Sequence, residues 1–295
     1  MTRYILMVFA GACSFGILST FVKLAYQEGF TAAEISVTQA FAGMLVLWIG
    51  TLIYGKHKTE TASLRLKWAA QWPLLLTGAA MGLTTFVYYW SVRYIPASIA
   101  IVILMQFTWI GILLDWIFFK KKPGLMQLII TVIILAGTAL ASGLAQTGIH
   151  EISVAGILLA ALSALLYAIY IIANSRVGRQ LHPLKKSVIM TSGATLGIFI
   201  VNAHSLVVST HYNIALLKWA AFLSLFGTII PPVLFAKGIP KTGAGIAAIV
   251  MTAEMPVAVL CSHIILKEQV VLLQWIGITM MLLSIGLLHV QQVKK

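Results

Sequence analysis

Residues 97–123 read ASIAIVILMQFTWIGILLDWIFFKKKP and residues 244–270 read AGIAAIVMTAEMPVAVLCSHIILKEQV, two apolar runs that begin alike and end on a short polar turn. Sliding the chain by 147 residues aligns 97–141 with 244–288 at eleven identical positions. Aliphatic identities carry little weight in apolar stretches. Lys120 with Lys267 and Gln127 with Gln274 carry more, because they repeat a polar residue at the same loop and at the start of the same following helix. Each run is long enough to cross the hydrocarbon core of a bilayer.

The rest of the chain has the same character. Of 295 residues 60% are hydrophobic and 9% charged, with a mean hydropathy of +0.99, a balance that excludes a water-soluble fold. Apolar length and polar, Gly or Pro punctuation predict ten spans near 4–24, 33–54, 72–92, 97–119, 125–145, 153–174, 187–208, 215–236, 243–266 and 271–290. Arg3 followed by an apolar run to Cys13 faintly resembles a lipoprotein cleavage signal, but the run continues to Val22, so a retained first helix is expected.

The net charge of +13 would suggest nucleic acid in a soluble protein. Here the basic residues sit as short runs between spans without an aromatic-interleaved face, and no nucleic acid is expected. They read as orientation signals. With the N-terminus inside, Arg3, Lys56, Lys58, Arg65, Lys67, Lys120–Lys122, Arg176, Arg179, Lys185, Lys186, Lys237, Lys241, Lys294 and Lys295 fall on the cytoplasmic side, and only Lys23, Arg93, Lys218 and Lys267 fall outside. That bias predicts a multi-pass inner-membrane protein with both termini cytoplasmic.

Five spans per half is an odd number, so the halves 1–146 and 147–295 enter the membrane in opposite directions. The fold class expected is all-α integral membrane, ten helices in two inverted five-helix repeats. Inverted halves around a midplane site suit a secondary transporter, because two packings can exchange at little energetic difference. No G-x-x-x-x-G-K-[ST] run is present for ATP. Cys13 and Cys261 lie in apolar stretches and build neither a disulfide framework nor a zinc site, so no cofactor or metal is expected.

The segment Ala258–Gly277, AVLCSHIILKEQVVLLQWIG, with Pro256 before it, resembles the EamA-type family of the drug/metabolite transporter superfamily over essentially the whole chain. The matching residues are Pro256, Glu268, Gln274, Trp275 and Gly277. The first half departs from them, with Lys121 at the position of Glu268 and Trp109 at that of Pro256. Family members often carry an arginine near the position of Gln39, where this chain has glutamine. The resemblance implies ten helices and export of small metabolites or drugs in bacteria.

Among seven acidic residues, Glu254 stands near the middle of its span, where an ionisable group costs several kcal/mol unless paired, hydrated or neutral. Pro256, two residues on, frees a backbone carbonyl about one turn upstream. The pair reads as a cavity-facing broken segment that binds substrate or a proton; the competing reading is a glutamate hydrogen-bonded between helices as structural glue. Gln106 and Trp109 are placed to line the same cavity from the other half. Ser14 with Phe15 and Gly16, and Tyr167 with Tyr170, put hydroxyls and rings at interior depth.

Phe86, Tyr88, Tyr89 and Trp90 are expected largely in the outer interfacial belt. Asp115 is placed to pair with Lys120–Lys122, Lys23 to snorkel outward, and His263 to serve structure. Pro231 and Pro232, opposite Thr84 and Thr85 under the same offset, are candidate flexing points of gating helices or a static kink. Gly78-Ala79-Ala80-Met81-Gly82 is a small-residue face that permits close helix contact, within the chain or in a homodimer.

The partners expected are a small organic solute, the lipid bilayer and protons as a candidate coupling ion. A lipid-modifying membrane enzyme would want clustered His, Asp and Glu, whereas the histidines at 57, 150, 182, 204, 211, 263 and 289 are scattered. A membrane scaffold would not require the midplane Glu254.

Overall fold

The computed structural model describes residues 2–55, 71–95, 97–142, 153–208 and 213–293, and among them it contains helices and no strand. Of the predicted loop at 55–71, residues 56–70, with their four basic residues and Glu60, lie outside the described residues, as do Glu151, Lys294 and Lys295. In chain order the helices are α1 (Thr2–Gln27), α2 (Ala32–Gly55), α3 (Trp72–Ser91), α4 (Ala97–Leu104), α5 (Phe107–Phe119), α6 (Leu125–Ala141) and α7 (Val154–Arg176). There follow α8 (Pro183–Val208), α9 (Ile214–Leu223), a π-helical turn (Ser224–Ile229), α10 (Ile230–Thr242), α11 (Ala244–Met251), α12 (Glu254–Ile265) and α13 (Leu272–Val293).

Among the described residues eight stretches, with α4–α5, α9–α10 and α11–α12 each taken as one, are long and apolar enough to cross a membrane. α6 is apolar but only 17 residues long. Large side chains such as Phe118, Leu125, Ile200 and Ile214 are exposed on the outside of the bundle. In water such surface would drive aggregation; against lipid tails it is at home.

Small residues set the tightest packing, as expected where lipid supplies no hydrophobic drive between helices. α3 and α8 meet through Gly78 and Gly82 on one side and Gly193 and Gly197 on the other. A Cβ on Gly82 would stand 2.7 Å from the Ala194 carbonyl oxygen, and one on Gly193 would overlap the Leu75 carbonyl. The small-residue face read from the sequence is therefore covered by the chain's own α8. α6 and α13 approach in the same way, with a Cβ on Gly137 3.0 Å from the Gly277 carbonyl oxygen. α1 packs along α10, α11 and α12.

Two long apolar stretches are broken at matched places. α4 ends at Leu104 and α5 begins at Phe107, while α11 ends at Met251 and α12 begins at Glu254. Each of these positions differs from its counterpart by the sequence offset of 147. Leu125 and Leu272, which begin α6 and α13, obey the same offset.

Candidate functional site

Glu254 opens α12 immediately after the break at Thr252 and Ala253. Pro256 has no N–H to offer the Thr252 carbonyl, and its ring crowds that carbonyl. The chain answers by tightening. Thr252 N and Ala253 N donate three residues back, to Ile249 and Val250 at 3.3 and 3.2 Å, and Met255 N takes the Thr252 oxygen at 3.1 Å. The Thr252 hydroxyl donates to the Ile249 carbonyl at 2.7 Å. The turn fixes the direction in which the Glu254 side chain leaves the backbone.

That direction is into a cavity of about 50 Å³ lined by Phe15, Met81, Tyr88, Tyr89, Tyr167 and Glu254, among others. Tyr167 Oη donates to Glu254 Oε2 at 3.3 Å. The Tyr167 ring is held by Phe107 at 4.6 Å and Tyr170 at 6.1 Å between centroids. Gly16 lets α1 lie directly on this turn, since a Cβ there would overlap the Glu254 carbonyl and stand 2.8 Å from Val257 Cβ.

A second cavity, also of about 50 Å³, shares Phe15, Met81 and Thr85 with the first and is bounded by Gln39, Tyr170, Thr191 and Thr228. Gln39 Nε2 donates to Thr228 Oγ1 at 3.3 Å. Gly227 leaves room for that amide, because a Cβ there would stand 2.6 Å from Nε2. Gln39 Oε1 and Thr191 Oγ1 are buried and make no hydrogen bond.

The EamA-like transporter family model matches residues 2–143 and again residues 154–290. The chain belongs to the EamA-like transporter family. Its relatives include an uncharacterized transporter of Synechocystis sp., 25% identical over 315 aligned positions that cover 98% of this chain and 94% of that one. A crystal structure of a protein at 14% identity superposes with a TM-score of 0.79 over 99% of both chains, a likeness of fold. The chain is thus a multi-pass membrane protein of a transporter family, as the sequence led one to expect.

Of the site residues predicted from the EamA-like sequence, Glu254 and Tyr167 come together with Phe15 and Gly16 beside them, whereas Gln106, Trp109 and Ser14 do not line their cavity. Gln106 repairs the α4–α5 break: its backbone N bonds Ile103 at 3.1 Å instead of Val102, and its side-chain Nε2 takes the vacated Val102 carbonyl at 3.0 Å. Trp109 donates its ring N–H to Gln106 Oε1 at 2.7 Å and is 43% exposed. Neither lines either cavity; α4 contributes Ile101 and Leu104 to the wall instead.

Ser14 has a similar occupation. Ile230 N donates to Leu225, five residues back, and Pro231 offers no N–H, so the Phe226 carbonyl has no backbone donor and receives the Ser14 hydroxyl at 2.6 Å. Pro231 and Pro232 thus stand just after the π-helical turn, at the start of α10. Thr84 and Thr85 lie in an uninterrupted α3 and donate to carbonyls one turn back.

Other expectations are corrected. Tyr88 and Tyr89 face the Glu254 cavity rather than an outer belt, and only Trp90 of that set is exposed. The signal was present in the spacing of Met81, Thr84, Thr85 and Tyr88 along one face of α3. Asp115 pairs with Arg176 at 2.6 Å, not with the lysines after α5, because α5 packs against α7 and brings the guanidinium, itself 3.4 Å over the Phe119 ring, onto the carboxylate. Lys23 does reach the surface, where it meets Glu268 at 2.5 Å.

Three of the residues that carried the family resemblance, Glu268, Gln274 and Trp275, hold the turn after α12. His263 Nδ1 lies 2.7 Å from the Glu268 carbonyl, and its ring meets Trp275 edge-on at 6.0 Å. Gln274 accepts from Val271 N and donates to the Ala141 carbonyl, both at 3.1 Å. Among the described residues no group of three or more His, Cys, Asp or Glu is arranged to hold a metal ion.

Proposed function

We propose that this EamA-like protein is a secondary transporter that moves a small organic solute across the cytoplasmic membrane by alternating access, with export as its direction and both termini inside. The carrying observation is the cavity in which Glu254, set at a broken helix, accepts a hydrogen bond from Tyr167. Glu254 is the binding group for substrate or proton in this reading, and Tyr167 orients it.

Ten spans follow if α3 and α6 cross the membrane beside the other eight stretches. The matched breaks at 104–107 and 251–254 support two inverted halves, 1–146 and 147–295. A cavity of about 50 Å³ holds a few water molecules and no organic solute. Transport therefore requires the helices to part, and Pro231, Pro232 and Pro256, where backbone hydrogen bonding is already interrupted, are the places for that movement. A homodimer, if one forms, has to use a surface other than the α3 glycine face.

The test is counterflow and efflux of a labelled amino-acid and metabolite panel in proteoliposomes, with and without a pH gradient. Wild-type protein is expected to exchange at least one solute, and Glu254→Gln to abolish that exchange or its pH dependence at equal yield of folded protein. Unchanged transport by Glu254→Gln overturns the assignment.

A further inference from the structure

The two central cavities contain one charged side chain. Glu254 lies in the first, and no Lys, Arg or His lines either. Lys186, though buried, donates to the Asn174 carbonyl at 2.6 Å and borders neither. A solute carboxylate or phosphate entering here would meet a like charge, or at best a neutral acid, and no cation to replace its water.

A cation meets the opposite situation. Three tyrosine rings, Tyr88, Tyr89 and Tyr167, line the cavity that holds the carboxylate, and aromatic faces attract ammonium groups. The shared wall of Phe15, Met81 and Thr85, whose hydroxyl donates back to the Met81 carbonyl at 3.3 Å, is mainly apolar and leads from Glu254 to the second cavity. There the free atoms are Gln39 Oε1, which can only accept, and Thr191 Oγ1; Gln39 is 4% and Thr191 3% exposed. A buried acceptor without a donor is a site for a ligand's N–H or O–H.

Resting on the reading of the Glu254 cavity as the transport site, we infer that the solute is an organic amine with a second hydrogen-bond donor at the far end of an apolar body. The ammonium sits on Glu254 among the tyrosines, the body passes Phe15 and Met81, and the second donor meets Gln39 and Thr191.

Four matched probes test this in proteoliposomes of the full chain: tyramine, phenethylamine without the hydroxyl, tyrosol with a hydroxyl in place of the amine, and 4-hydroxyphenylpropionate with a carboxylate in its place. Counterflow is measured against protein-free vesicles. Tyramine is expected to exchange fastest, with phenethylamine about tenfold slower, the scale of one hydrogen bond. Tyrosol and the carboxylate are expected at background. Gln39→Leu, and the nearly isosteric Thr191→Val, bring the ratio of tyramine to phenethylamine toward one.

Faster exchange of 4-hydroxyphenylpropionate or tyrosol than of tyramine, sensitive to Glu254→Gln, overturns the amine and leaves the cavity as the transport site. A tyramine preference that survives both Gln39→Leu and Thr191→Val removes the second subsite. Absence of exchange for all four probes while a panel solute is exchanged overturns the inference alone; absence for probes and panel together overturns the transporter reading with it.

Discussion

Lys120 and Lys267, 147 positions apart, are held in the same left-handed backbone conformation, at φ 55° and 56°, and are the only non-glycine residues at positive φ among those described. Each follows the second half of a broken apolar stretch and turns the chain toward the next helix. A side chain bearing a Cβ adopts this conformation at about 1–2 kcal/mol, which glycine avoids. Lys120→Gly and Lys267→Gly are each expected to raise stability by about 0.5–1 kcal/mol after the entropy of a freer unfolded chain is counted. Denaturant unfolding in detergent checks this, and a loss of stability in both variants contradicts it.

The Asp115–Arg176 pair joins α5 to α7 with the carboxylate buried and the guanidinium partly exposed. Removing either partner leaves the other without its charge-assisted hydrogen bond, worth about 1.5–3 kcal/mol. A double-mutant cycle with Asp115→Ala and Arg176→Ala is expected to give a coupling energy in that range. Mutating Lys120, Lys121 or Lys122 to methionine is expected to show no coupling to Asp115. Coupling to the lysines in place of Arg176 would reverse the assignment.

Much of the fold was legible because its strongest signals are one-dimensional. Apolar length located the eight stretches long enough to cross a membrane among the described residues, and Pro256 announced the break in front of Glu254. Gln106 and Ser14 have the polar side chains expected of cavity residues, yet both serve backbone carbonyls freed by interrupted helices. Which carbonyl lacks a donor depends on hydrogen bonding across the break, and composition does not reveal it. Tyr88 and Tyr89 were misplaced for another reason: tyrosine near a span end suits an interface as well as a cavity, and only the close approach of α3 to α7 and α8 decides. The free acceptor on Gln39 emerges only when Thr228, 189 residues away, takes its amide.

The glycines of α3 and α8 separate close approach from chance abundance. A Cβ on Gly193 would overlap the Leu75 carbonyl, whereas one on Gly50 meets nothing within 4 Å. Gly193→Ala is expected to destabilise by about 1–3 kcal/mol, as overpacking does. Gly50→Ala is expected to be neutral or stabilising, since alanine favours the helix. Thermal unfolding of the two variants side by side measures the contrast. If Gly193→Ala instead altered only the oligomeric state, at unchanged monomer stability, the α3–α8 contact would be wrong.

Pro231 and Pro232 deny donors to the carbonyls of the π-helical turn, and Ser14 supplies one from α1. Replacing both prolines by alanine restores two N–H groups and lets the turn anneal into regular α-helix. That annealing shifts the register of one side of the stretch by about a residue, roughly 100° around the helix axis, and carries Thr228 away from Gln39. The double variant is expected to remain folded, to gain hydrogen-exchange protection around 227–233, and to lose most transport. A variant that gains this protection and transports at the wild-type rate would reduce the turn to a static kink. Ser14→Ala supplies the control in the opposite sense, leaving the Phe226 carbonyl unpaired while both prolines remain, and it is expected to loosen the turn and lower protection there.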